Sequence, residues 1–182
     1  ALHSTTMSEV TRVYAGRLAG MVVRGPETDV IGRVRDVGVN VRPAGHQSRV
    51  LGLVVEMTNK RRIFLPLLRI ASIDPHEIML VSGSVSLRAF KPRTGELTIM
   101  GDIIGAKVQV DDPDLPKIHA KPVEVADIEI ERTRTRDWAI SAVAVISERA
   151  KFGRRTEILI ASWKHVHGIT AAGGGSSDAA AG

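Results

Sequence analysis

The 182-residue sequence predicts an all-β protein made of two small β-barrels in tandem, with short helical turns. Strand-period patterning, turn chemistry and an internal repeat point there together. Val37, Val39 and Val41 alternate with Gly38 and Asn40, and Ile128 and Ile130 alternate with Glu129 and Glu131. That is the two-residue period of half-buried strands. Residues 49–57 and 138–146 are apolar on both faces, as the central strands of a compact barrel are. Between these runs stand Arg24-Gly25-Pro26-Glu27-Thr28-Asp29, Pro43-Ala44-Gly45-His46, Thr58-Asn59-Lys60 and Asp111-Asp112-Pro113-Asp114, all turn-forming in composition.

The repeat sets the organisation. Val34-Arg35-Asp36-Val37-Gly38-Val39 returns as Val125-Ala126-Asp127-Ile128-Glu129-Ile130. Ala19-Gly20-Met21-Val22-Val23 matches Ile104-Gly105-Ala106-Lys107-Val108, and Val50-Leu51-Gly52-Leu53-Val54-Val55 matches Ile140-Ser141-Ala142-Val143-Ala144-Val145. Phe64-Leu65-Pro66-Leu67 and Ile70-Ala71-Ser72-Ile73 match Ile160-Ala161-Ser162-Trp163 and Val166-His167-Gly168-Ile169. The order is kept while the offset drifts from 85 to 96, as small loop insertions cause. The expected organisation is therefore an N-terminal extension over 1–14, a first barrel over 15–90 and a short turn-rich linker over 91–97. A second barrel over 98–170 and a Gly/Ala/Ser tail over 171–182 complete it. Helix is expected only around 67–71, with Pro66 in the first turn, and around 162–166, with Ser162 as cap.

Composition narrows the function classes. Cysteine is absent, which removes disulfides, thiolate nucleophiles and cysteine-based zinc sites and fits a reducing cytoplasm. No stretch approaches the roughly 20 apolar residues of a membrane-spanning helix. The start Ala1-Leu2-His3-Ser4-Thr5-Thr6-Met7 lacks the basic and apolar parts of a secretory signal. A cytoplasmic protein is expected, with peripheral contact at the inner face of the membrane left open.

Leu18-Ala19-Gly20, Asp29-Val30-Ile31-Gly32-Arg33-Val34-Arg35-Asp36-Val37, Val50-Leu51-Gly52-Leu53-Val54-Val55 and Ile63-Phe64-Leu65-Pro66 together resemble the PRC-barrel domain. This is the β-barrel module named after the photosynthetic reaction-centre H subunit and also found in a ribosome-maturation factor. Gly52-Leu53-Val54-Val55-Glu56 with Arg61-Arg62-Ile63-Phe64-Leu65-Pro66, followed by Thr133-Arg134-Thr135-Arg136-Asp137-Trp138, is similar to the N-terminal region of actinobacterial magnesium-transporter-like CBS-domain proteins. The resemblance spans about residues 12 to 170. It implies barrels that precede a helical domain and CBS domains, neither of which has a counterpart in these residues. The chain then reads as a fragment or a stand-alone pair of barrels, and a magnesium role would come by association.

Catalytic patterns are missing. Ser82-Gly83-Ser84 is not a nucleophile elbow, and the 17 glycines form neither phosphate-cradling loop motif. His165 and His167 would share one face of a strand and could hold a metal, but a third ligand has no sequence neighbour. Asp111, Asp112 and Asp114 offer hard oxygens without the order of a calcium loop, so a solvated acidic turn is favoured. No metal, cofactor or enzymatic activity is expected. Trp138 and Trp163 read as core anchors of the second barrel.

Asp36 and Asp127 occupy equivalent positions inside strands, where Asp is disfavoured. They are either a ligand or partner contact shared by both copies or, the favoured reading, carboxylates accepting backbone or arginine hydrogen bonds at a strand entrance or bulge. Arg33, Arg35 or Arg136 are the candidate arginines.

The formal net charge of +5 is the best argument for a macromolecular partner. Arg132, Arg134 and Arg136 would project from one face of a strand and suit an acidic protein, RNA phosphates or anionic lipid headgroups. Only 3% of the residues are aromatic, which leaves few platforms for stacking bases. The expected function is a protein-binding regulatory module, with a magnesium-transporter-like or CBS-domain chain as partner. The alternative is an RNA- or ribosome-associated module. A basic stripe continuous across both copies would favour nucleic acid, and local salt bridges would favour the adaptor.

Overall fold

The structure, a computed structural model, describes residues 10–43 and 46–170. Most of the N-terminal extension and the whole tail over 171–182 lie outside these residues, as do Ala44 and Gly45 of one expected turn.

The first repeat runs β1 (Arg12–Tyr14), a helical turn Ala15–Leu18, β2 (Val22–Arg24), β3 (Val30–Asn40), β4 (Arg49–Met57) and β5 (Arg62–Pro66). A 3-10 turn Leu67–Arg69 and β6 (Ile70–Ile73) follow, and then β7 (Glu77–Leu80). The second repeat keeps the order: β8 (Glu96–Thr98), a wider helical turn Ile99–Ile103, β9 (Lys107–Val110), β10 (Val123–Arg132), β11 (Trp138–Glu148) and β12 (Glu157–Ser162). It closes with a 3-10 turn Trp163–His165 and β13 (Val166–Thr170). The protein is all-β, as its alternating patterns require. No described helix is long and apolar enough to cross a membrane.

Backbone pairing repeats down to its irregularities. β3 pairs β4 with Val34 opposite Val55 and Asp36 opposite Val54, leaving Arg35 as a bulge. β10 pairs β11 with Val125 opposite Val145 and Asp127 opposite Ala144, leaving Ala126 as the equivalent bulge. An extra residue shifts the phase of alternation. Val34 and Val37, three apart, are therefore both fully buried, and so are Val125 and Ile128.

The two closed barrels expected from the repeat are corrected to one sheet. Its hydrogen-bonded path runs β13-β9-β10-β11-β4-β3-β2-β7-β6 and, among the described residues, does not return on itself. The repeats meet at Ala139 opposite Arg49, where β11 pairs β4. These two residues are themselves equivalent, 90 positions apart, so the junction relates the repeats by an approximate two-fold. The strand set also differs at one end: β13 pairs β9 directly, whereas β7 lies between β6 and β2.

The leading strands are exchanged. β1, which begins the first repeat, pairs β10 of the second, with Val13 opposite Ile130. β8, which begins the second, pairs β3 of the first, with Val39 opposite Leu97. Each exchanged strand runs into a helical turn that is held by the aspartate of the repeat it has joined. Asp127 Oδ1 accepts the Gly16 amide at 3.0 Å. Asp36 accepts the Met100 amide at 2.8 Å and the Gly101 amide at 3.0 Å. Each aspartate also accepts the amide of its next residue at 2.8 Å. Carboxylates at the amide end of a helical turn satisfy donors that have no intrahelical partner. Gly16 and Gly101 are equivalent, and close approach requires them to lack a side chain. A Cβ on Gly16 would sit 2.7 Å from Asp127 Oδ2, and one on Gly101 would sit 3.3 Å from Asp36 Oδ2 and 2.6 Å from Thr98 Oγ1. The second turn is one residue wider, closing from Ile104 N to Ile99 O where the first closes from Ala19 N to Ala15 O. That width accompanies two amides on Asp36 against one on Asp127.

These two turns were not expected from sequence. They are too short to show a helical period. The expected ones form as 3-10 turns over Leu67–Arg69 and Trp163–His165, with Pro66 just before the first and no side-chain cap from Ser162.

A single apolar core runs through both repeats, from Leu18, Val34 and Leu53 to Ile128, Val143 and Trp163. Trp138 and Trp163 are both buried in it. Trp163 also ties the copies together: its indole N–H donates to Ser48 Oγ at 3.1 Å, and Ser48 O accepts the Ile140 amide at 2.9 Å.

Two outcomes follow from the exchange. Asp36→Ala strips acceptors from three amides and lowers stability by about 2–3 kcal/mol in urea titration, and Asp127→Ala costs about 1–2 kcal/mol. A loss near zero for both would show that the caps are incidental. The intact chain unfolds in one transition whose calorimetric and van't Hoff enthalpies agree. A piece over 91–182, lacking β1 and Gly16, stays unfolded by circular dichroism; two separate transitions would contradict the shared core.

Candidate partner-binding surface

The three arginines singled out by spacing do not form a strand stripe. Arg132 is the last residue of β10, while Arg134 and Arg136 lie in the hairpin between β10 and β11. Arg136 takes a left-handed conformation with φ 65°. The hairpin is held inside by short links: Thr133 N donates to Asp137 O at 2.6 Å, and Thr135 Oγ1 donates to Asp137 Oδ2 at 3.1 Å. The period of two fails here because the ladder ends with Arg132 opposite Trp138, and the turn then re-aims each side chain. Arg134 and Arg136 are exposed at its tip.

Asp36 accepts the amides of Val37, Met100 and Gly101, and Asp127 those of Gly16 and Ile128, rather than the side chains of Arg33, Arg35 or Arg136. Arg33 donates instead to Gly20 O at 3.0 Å, and Arg35 pairs Glu56. His165 falls in the 3-10 turn and His167 on β13 opposite Gln109, so the two do not share a strand face. Asp111 faces His119 at 3.3 Å, and Asp112 accepts the Asp114 amide at 2.9 Å in a local turn. Among the described residues, no three His, Asp or Glu side chains converge on one point.

The basic clusters lie among carboxylates. Arg24 meets Glu77 at 2.8 Å, and Arg12 meets Glu129 at 3.5 Å and Glu131 at 3.0 Å. Glu56 receives Arg35 at 3.1 Å and Arg62 at 3.6 Å. In the second repeat Lys117 bridges Glu148 at 3.3 Å and Glu157 at 2.8 Å, and Arg149 contacts Glu124. The Arg35 hydrogen bond pulls the Glu56 carboxyl below the ordinary glutamate range, and Lys117 does the same to Glu157. These pairs break the positive surface into local patches. An open groove lies between β3 and the β4–β5 turn, lined by Arg33, Arg35, Glu56, Met57 and Lys60 among others.

The repeats also differ on the outer faces of their fourth strands. On β4 and β3 the opposed glycines Gly52 and Gly38 form a floor beneath aromatic rings. A Cβ on Gly38 would lie 3.1 Å from Phe90, and one on Gly52 would lie 2.8 Å from Phe64 and 2.1 Å from Leu65 O. The two rings stack tilted with centroids 4.8 Å apart. Their counterparts in the second repeat are Glu129 and Ala142, with Ile160 in place of Phe64. The sequence carried this difference as unequal residues at matched positions, but it gave no sign that residues 87–90 return over the first copy.

Residues 97–172 match the family model described as an Actinomycetes SH3 domain. The match begins in β8 and takes in β9 to β13, which pair in the order β13-β9-β10-β11-β12 with a 3-10 turn before the last strand. No curated protein matches the chain significantly.

The ion pairs give a pH signature. A carboxyl whose value is lowered by folding adds stability that is complete above the ordinary glutamate value of 4.5 and is lost as pH falls through its lower folded value. Glu56→Gln is therefore less stable than the parent at neutral pH, and the difference shrinks on acidification. Thermal midpoints measured from neutral to acid pH check this; a gap that widens in acid would remove Glu56 from the pairing.

Proposed function

We propose that the chain is a non-enzymatic protein-binding and regulatory module, a PRC-barrel-type double repeat that works with a magnesium-transporter-like CBS-domain chain in the cytoplasm or at the inner face of the membrane. The observation that supports an adaptor is the local neutralisation of its basic residues. Arg12, Arg24, Arg35, Arg62, Lys117 and Arg149 each face a carboxylate, so no long unbroken cationic track joins these positions across the repeats. A nucleic-acid surface gains its affinity by neutralising many phosphates at once, which needs such a track. Local patches suit the mixed charge of a protein partner, where complementarity steers encounter and sets register. Rigidity supports the same reading: one core and two reciprocal caps hold the surfaces of both repeats in a fixed relation. Arg134 and Arg136 at the hairpin tip, with Arg132 at its base, are the proposed site for an acidic segment of that partner.

The test is co-purification of the full chain with the CBS-domain chain from native cytoplasm, alongside a gel shift with total RNA at physiological salt. The adaptor reading expects the CBS-domain chain in the eluate and no RNA complex. Replacing Arg132, Arg134 and Arg136 by Ser reduces capture, and added salt does so as the Debye length falls below about 8 Å. Folding is largely kept, since exposed ion pairs contribute about 0–1 kcal/mol each. Tight RNA binding without the protein partner would make the RNA module the correct function.

A further inference from the structure

The first repeat covers a strand edge that the second leaves open. On β5 the Phe64 amide donates to Arg88 O at 2.8 Å and the Phe90 ring lies against Phe64, while Arg61, just before the strand, donates from Nη2 to Leu87 O at 3.1 Å. The segment over 87–90 thus lies on the outer edge of β5 and shields its apolar residue. β12 is the equivalent strand, pairing β11 with Ile160 opposite Ala144 as Phe64 stands opposite Val54. Its sheet partner is β11 alone, and no described residue makes a backbone hydrogen bond to its outer edge. Ile158 and Ile160, two apart and on one face, are 51% and 60% exposed. At Ile158 the first repeat has Arg62, which pairs Glu56. The hairpin leading into β12 carries Phe152, fully exposed at a left-handed φ of 48°, among Lys151, Arg154 and Arg155, whose side chains make no ion pair among the described residues.

An uncovered edge strand with exposed isoleucines is a template for strand addition. We propose that the outer edge of β12 docks an extended segment of a partner protein, apolar at alternate positions and acidic at its flank, which adds beside β12 much as residues 87–90 cover β5. The cationic hairpin selects the charge. A second copy of this chain fits poorly, because antiparallel pairing of β12 with itself sets Arg154 and Arg155 near Lys164 of the other copy. The tail over 171–182 contains only Ala, Gly, Ser and one Asp, and brings no large apolar side chain to the isoleucines. The proposal rests on the protein-binding reading above and names the chemistry of its partner.

The probe is a fluorescein-labelled synthetic peptide covering residues 84–92 of this chain with R88E and K91E, which combines the segment known to fit β5 with the charge that the β12 hairpin selects. Anisotropy titration with the full chain should saturate in the micromolar range. Binding should weaken about tenfold in I158S/I160S and fall more steeply with salt in the parent than in R154S/R155S. The unsubstituted basic peptide should bind more weakly. Amide spectra of the labelled parent chain should shift at β12 and not at β5, a readout that needs no variant to fold. No saturation, unchanged affinity in I158S/I160S, or shifts away from β12 would overturn the proposal, as would a parent dimer in sedimentation that I158S/I160S dissociates. If the peptide fails while the CBS-domain chain still co-purifies, this edge alone is wrong; if both fail, the adaptor reading falls too.

Discussion

Two half-buried carboxylates determine how the molecule is assembled. Asp36 and Asp127 each sit just after a bulge and accept amides from the first turn of a helix that belongs, by sequence, to the other copy. A charged acceptor facing amides that lack any other partner is a stronger link than a neutral hydrogen bond. Because the links run both ways, neither repeat can complete its sheet without a strand from its neighbour. Small β units bury too little surface to be robust alone, and the exchange merges two marginal cores into one.

With the interior constrained twice over, the repeats have kept the same buried geometry and separated on the surface. Bulges recur at Arg35 and Ala126, and 3-10 turns recur before β6 and β13. Outside, the groove beside Arg33, Arg35 and Lys60 has no cationic counterpart, since the matching residues of β10 are Glu124 and Ala126. The covered aromatic pair over Gly38 and Gly52 corresponds to bare isoleucines on β12. Packing restricts a core to shapes that fit, whereas exposed positions answer to partners. The similarity of residues 97–172 to an actinomycete SH3-like domain and the diverged surface of the first copy are both understandable on those terms.

Charge reads differently in three dimensions from its appearance along the chain. Arg132, Arg134 and Arg136 look like a stripe because alternate residues of a strand share a face, yet the strand stops at the first of them. Lys117 and Glu157 are 40 positions apart and form a close pair. Counting basic residues in sequence windows overstates the free positive surface, since folding brings carboxylates from strands distant in sequence alongside.

The amino-acid sequence by itself determined the strands, the repeat and even the bulges. The three-residue step between Val34 and Val37, and between Val125 and Ile128, encodes the phase slip that places both in the core around each aspartate. Local periodicity specifies which side of a strand is apolar, and that information survives in any tertiary context. It does not specify which sheet a strand joins. β1 could have returned to its own copy; the choice of β10 depends on contacts such as Gly16 with Asp127, 111 positions apart, and Met100 with Asp36, 64 apart. Such pairings balance the entropy of closing a long loop against amides that would otherwise lack acceptors. Only the folded arrangement settles that balance, and with it the single open sheet and the uncovered edge of β12.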